Sequence, residues 1–129
     1  AHSLVPIFWR RWNMSPSPRE YLQHIQEELE YLQETRRRIS KEGFSQDPTY
    51  QRAFARSLEI IGEATKKLAK EFTVMHSDIP WSDMAKLRDK LIHHYFGIDY
   101  ELVWSIVDEE IPNLKPKIAA LIERLESAD

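Results

Sequence analysis

The apolar residues of this chain recur at intervals of three and four almost from end to end, and no stretch keeps a strand's alternation for long. That spacing lays apolar side chains along one stripe of an α-helix. The clearest case is SPSPREYLQHIQEELEYLQETRRRIS. There Leu22, Ile25, Leu29, Leu32 and Ile39 hold the stripe and Arg36 interrupts it. Ser17 suits the N-cap and Pro18 the first helical position. Glu20, Glu27 and Glu28 come early and Arg36, Arg37 and Arg38 late, as the helix dipole favours. A stop is expected near Gly43.

The pattern continues. Asp47 and Pro48 restart a helix, with Phe54, Leu58, Ile61, Leu68 and Phe72 on one stripe and Ala53, Ser57, Ile60 and Ala64 on a flatter one beside it. So wide a face asks for two neighbours, the core and a second surface such as another subunit. Glu63 lies between these stripes, where it would be a buried polar group at the dimer interface, a candidate partner for Arg88. A third helix starts at Pro80 or Ser82, points Trp81, Met84, Leu87 and Leu91 inward, and runs past His94 to a stop at Gly97. Asp99 caps a short helix with Leu102, Val103, Ile106 and Val107 inward. Pro112 and Pro116 are expected to break the chain before a last helix carrying Leu114, Ile118, Leu121, Ile122 and Leu125. FTVMHSDI is the sole strand candidate, and its brevity, histidine and aspartate count against it. The reading is an all-α antiparallel bundle of four main helices with a short fifth piece.

At 129 residues the chain fits one domain. It has no cysteine, which excludes disulfides, zinc thiolate sites and thiol catalysis and makes a reducing cytoplasm the default. Three glycines and no GxGxxG or P-loop string speak against a phosphate cradle of those kinds. The net charge of −3 leaves any nucleic-acid contact to a local basic patch. The opening AHSLVPIFWRRWN differs from the rest. Its apolar run is too short for a membrane span, and its charges follow that run instead of preceding it as in a signal peptide. Met14 is the expected natural start, which makes residues 1–16 a non-native or loosely held extension and 17–129 the bundle domain. The rival reading is an aromatic arm that docks on a partner.

One short string, RDKLIHHYFGID (88–99), crowds two cations, two histidines, a tyrosine and two aspartates onto a helix end. At roughly 100° per residue, Asp89 and His93 share a face, and so do Arg88 and Tyr95. Arg88 and His93 stand roughly 140° apart, but long side chains can converge over a cleft where the helix meets its symmetry mate. RNA cleavage by its own 2′-hydroxyl needs such groups. A base takes the 2′-OH proton, an acid protonates the leaving 5′-oxygen, and a cation steadies the phosphorane. His93 fits the first two tasks and Arg88 the third. The plain alternative is a helix end whose cations favour the dipole. His94 points to another face. A metal site from His76, His93, His94 and Asp99 lacks the i,i+4 histidine pair, and no metal is expected. The Arg36-Arg37-Arg38 run reads as a solvated helix end.

The same string resembles the HEPN superfamily signature R-x-x-x-x-H, and more closely the HepT form R-x-x-x-x-H-x-Y: Arg88, four residues, His93, His94, Tyr95. SLEIIGEATKKLAKEF and DIPWSDMAKLRDKLIHHYFGIDYELVWSIV resemble the neighbouring helices of that family, so the likeness covers about 21–125. The resemblance implies an all-α homodimer whose two motifs face one cleft, and a metal-independent ribonuclease that acts as the toxin of a two-component system. It also implies a partner, a small MntA-like nucleotidyltransferase that adenylylates the motif tyrosine, here Tyr95. No resident cofactor is implied, only AMP delivered from ATP by that partner. Asp89 departs from the asparagine often found after the motif arginine, and its charge would raise the basicity of His93 and weaken RNA binding. Two other readings stay open: a non-catalytic helical or nucleotide-binding partner of a nucleotidyltransferase, and a purely structural dimerisation bundle.

Overall fold

A computed structural model describes residues 16–93 and 97–128, with the backbone alone at His93. The N-terminal extension expected over 1–16 falls almost wholly outside these residues.

Helix α1 (Pro18–Arg36) starts as its sequence requires, with Ser17 Oγ accepting from the Glu20 N–H at 3.3 Å. Leu22, Ile25, Leu29 and Leu32 are fully buried. The helix ends before Gly43, which lies inside a separate short helix, α2 (Lys41–Ser45), capped by Ser40 Oγ. Five residues carry too little periodicity to be read in advance, but they place Phe44 in the core. Helix α3 (Pro48–Lys66) begins on Asp47, whose Oδ1 accepts from the N–H groups of Thr49 and Tyr50. Its two stripes divide: Phe54, Leu58, Ile61, Ser57 and Ala64 are buried, while Ala53 and Ile60 are half-buried. The stripe does not carry one helix to Phe72. The chain turns at Lys67 to Ala69 and restarts as α4 (Lys70–Met75), so the one strand candidate is half helix and half turn.

Helices α5 (Trp81–Ala85) and α6 (Leu87–Leu91) follow, broken at Lys86 (φ −93°, ψ 4°). Two-residue strands β1 (Ile92–His93) and β2 (Gly97–Ile98) pair antiparallel. Helix α7 (Tyr100–Ser105) is capped by Asp99, which accepts from the Leu102 N–H at 3.1 Å. The break expected at Pro112 and Pro116 does not occur. Helix α7 passes through a π-turn (Ile106–Glu110) into α8 (Ile111–Ser127), with the Ile111 N–H reaching back to Ile106 O. The wider turn sits just before Pro112, which has no N–H to give, and kinks and missing donors of this sort are absorbed by π-turns. Burial of Ile111, Ile118 and Leu121 holds the rod together across Pro116.

The protein is thus all-α apart from the small hairpin. Helix α3 packs on α1, α5 and α6, while α1 also packs on α8. Gly62 lets α3 approach the α5–α6 junction: a Cβ there would lie 3.2 Å from Met84 O. Arg36, the intruder in the α1 stripe, is held on the tertiary structure. Its guanidinium lies 4.2 Å from the Trp104 ring centroid and pairs with Asp108 at 2.8 Å. Arg37 and Arg38 pair with Glu34 at the surface. Among the described residues no helix is long and apolar enough to cross a membrane.

Candidate active site

The motif begins on α6. Trp81, Met84, Leu87 and Leu91 are all buried, which turns Lys86, Arg88, Asp89 and Lys90 to the solvent. Lys90 Nζ lies 3.9 Å from Asp83 Oδ1, whereas Arg88 and Asp89 make no hydrogen bond or ion pair with the described residues. An unpaired, exposed guanidinium keeps its full fork of donors for a phosphate. Glu63 is not the partner of Arg88 in this chain. It is exposed and lies 3.6 Å from Arg56.

Helix α6 ends at Leu91, short of the expected stop at Gly97. Ile92 is already extended (φ −96°, ψ 120°). The local reason is composition: Ile92, His93, His94, Tyr95 and Phe96 are β-branched or ring-bearing, types that lose rotamer freedom in a helix and suit a strand. Ile92 stands opposite Ile98 and His93 opposite Gly97, and the Asp99 N–H closes the base by donating to Leu91 O at 2.8 Å. Gly97 has φ 77°, the left-handed backbone that glycine takes without strain. The helical face expected for Asp89 and His93 is therefore not formed, and no helical relation carries from Arg88 past Leu91. Arginine and histidine instead come from two adjacent elements, a helix and the first strand of a hairpin tied to its end. His94 and Tyr95 lie outside the described residues, and so does the side chain of His93; the metal grouping with His76 and Asp99 falls with them.

Two cavities flank this region. One, of about 200 Å³, lies under α6 against α8 and is floored by Met84, Leu87, Ile111 and Leu114 with Lys90 at its rim. The other, of about 520 Å³, opens between α2 and α7 and is walled by Phe44, Tyr100 and Trp104. Nothing in the motif pointed to the second. Its one legible sign was that Tyr100 and Trp104 are four apart, hence on one helix face.

An all-α chain with an exposed arginine at the foot of a histidine-bearing hairpin matches the family model described as ribonuclease HepT-like over residues 25–121. The chain belongs to the HepT-like ribonuclease family. It is 49% identical over 108 residues to a candidate RNase of Caldanaerobacter subterraneus subsp. tengcongensis, covering 84% of this chain and 96% of that protein. It is 46% identical over 108 residues to the probable ribonuclease HepT of Thermococcus cleftensis, covering 84% and 98%. A candidate RNase of Methanocaldococcus jannaschii is 41% identical over 111 residues, 86% of this chain and 92% of its own length. No solved structure matches.

Proposed function

We propose that the chain is the toxin of a toxin–antitoxin pair: a metal-independent endoribonuclease that acts as a homodimer and is switched off by adenylylation of Tyr95. The observation that carries the reading is the spacing Arg88, His93, Tyr95 in a member of the HepT-like family, with Arg88 exposed and unpaired among the described residues.

In the reaction His93 takes the proton from a ribose 2′-OH, and the 2′-oxygen attacks the adjacent phosphorus. The P–O5′ bond breaks as a second acid, His93 of the other subunit, protonates the leaving oxygen. The products are a 2′,3′-cyclic phosphate and a free 5′-hydroxyl. Arg88 donates to the non-bridging oxygens as their charge builds. Asp89, the neighbour of Arg88, tunes the charge of the cleft. A dimer brings two such sets to one cleft, which supplies acid and base together.

For the off-switch, the Tyr95 hydroxyl attacks the α-phosphorus of ATP in the active site of a MntA-like nucleotidyltransferase, and pyrophosphate leaves. The resulting O-AMP-tyrosine adds bulk and a phosphodiester charge that competes with RNA for Arg88.

The test is expression of the chain and of His93→Ala without a partner. The proposal expects growth arrest and fragmented RNA with the first and neither with the second. Intact RNA and equal growth in both sink it and favour a non-catalytic partner module. Intact mass after co-expression with the nucleotidyltransferase should rise by whole AMP units that map to Tyr95.

A further inference from the structure

The cavity between α2 and α7 has no part in the chemistry above, yet it is built to take a flat polar ligand. Its volume of about 520 Å³ lies in the range of small-molecule sites. The floor is stiff. Phe44 and Trp104 are buried with ring centroids 5.3 Å apart, and Arg36 sits on Trp104 at 4.2 Å. Tyr100, half-buried on the same face as Trp104, supplies an accessible ring.

The polar groups are mostly acceptors. Gln51 Nε2 donates to Phe44 O at 2.9 Å, which fixes the amide and leaves its carbonyl oxygen without a partner among the described residues. Glu42 and Glu101 stand exposed on the rim, their carboxylates also without partners among the described residues. Acceptors facing an aromatic wall select a ring that carries N–H donors. Lys41, exposed and likewise unpaired, offers the rim one cation for a phosphate.

The location fits the same strand of RNA that would reach Arg88. Helix α7 packs against both α6 and α2. Its cap residue, Asp99, is bonded to the end of α6. Packed helices lie about 8–10 Å apart, so the cavity is within a few nucleotides of the arginine.

We propose that this cavity is a base subsite: it holds a splayed nucleobase bearing an exocyclic amino group, stacked on Tyr100 and read by Gln51 and Glu101, a few nucleotides from the bond that is cut. The assignment rests on the ribonuclease reading for its substrate, but not for its test.

The experiment uses the full chain as His93→Ala, which cannot cleave, and fluorescein-labelled single-stranded A6, C6 and U6 RNA read by anisotropy. A6 and C6 should bind on the order of tenfold tighter than U6, since stacked bases and amino-group contacts each contribute at this scale. Adding Tyr100→Ala should abolish most of that preference, and Tyr100→Phe should keep it. Glu101→Gln, at an exposed position that does not threaten folding, should lower it severalfold. Equal binding of the three RNAs overturns the subsite. So does an unchanged preference in both Tyr100→Ala and Glu101→Gln, and so does tight capture of an arginine-rich peptide with no preference among the RNAs. The unsubstituted chain separates the two proposals. Amino-base preference without RNA cleavage sinks the ribonuclease reading and leaves the subsite, whereas cleavage with the same base preference in Tyr100→Ala does the reverse.

Discussion

The two halves of the motif are held in different ways. Arg88 rides on α6, whose flanking Leu87 and Leu91 are sunk in the core, so its backbone is positioned by hydrophobic packing. His93 rides on a two-residue strand that is tied down by its pairing with Gly97 and by the Leu91–Asp99 bond. Ile92, beside it, is 41% exposed and anchors little. The lesson is that one motif joins a firmly packed grip to a lightly held arm. Local opening free energy follows buried contact, so the backbone at the histidine end of the motif is the less firmly held.

The contrast can be broken by substitutions with graded effects. His93→Ala should lower RNA cleavage by at least about 10²-fold, as loss of a general acid or base does, with little change in melting temperature; a comparable loss of stability would mean the histidine is structural. Leu29→Ala, in the core that holds the rods, should cost about 2–5 kcal/mol in chemical denaturation while leaving the cleavage of still-folded protein intact. Gly97→Ala meets no described residue within 4 Å of its methyl group but must adopt φ 77°, so it should cost about 1–2 kcal/mol. Its cleavage rate should fall further than that loss explains, because the strain falls on the strand opposite His93; an unchanged rate would show that the hairpin does not set the histidine. Arg36→Met should cost about 1 kcal/mol, the scale of a half-exposed ion pair and a cation–π contact, with Tm as the measure and no change in cleavage.

Much of the fold was legible. Ser17, Asp47 and Asp99 cap helices because their side-chain oxygens satisfy N–H groups next to them in sequence. The stripes of α1, α3 and α8 follow from the period of the helix. Short pieces were not legible: α2 and α4 have five and six residues, below the length at which a period can be recognised. The prolines misled because Pro112 and Pro116 read locally as a break, while the π-turn and the burial around them keep one rod. At the site, the residue types and their order were visible, but the helical geometry assigned to them was not realised past Leu91.

What the sequence determined by itself was everything that depends on near neighbours: the helical class, the caps, the inward stripes and the Arg88, His93, Tyr95 spacing that carries the family resemblance. Composition favours an end to α6 near Ile92, but tertiary structure fixed it at Leu91, whose carbonyl oxygen meets the Asp99 N–H across the hairpin. It likewise decided what Arg36 does, since Trp104 and Asp108 lie far along the chain. It also made the aromatic cavity, whose walls come from α2, α3 and α7. Spacing along a chain reports angles around a single helix; which helices meet, and where one yields to a hairpin, depends on free energies shared between segments.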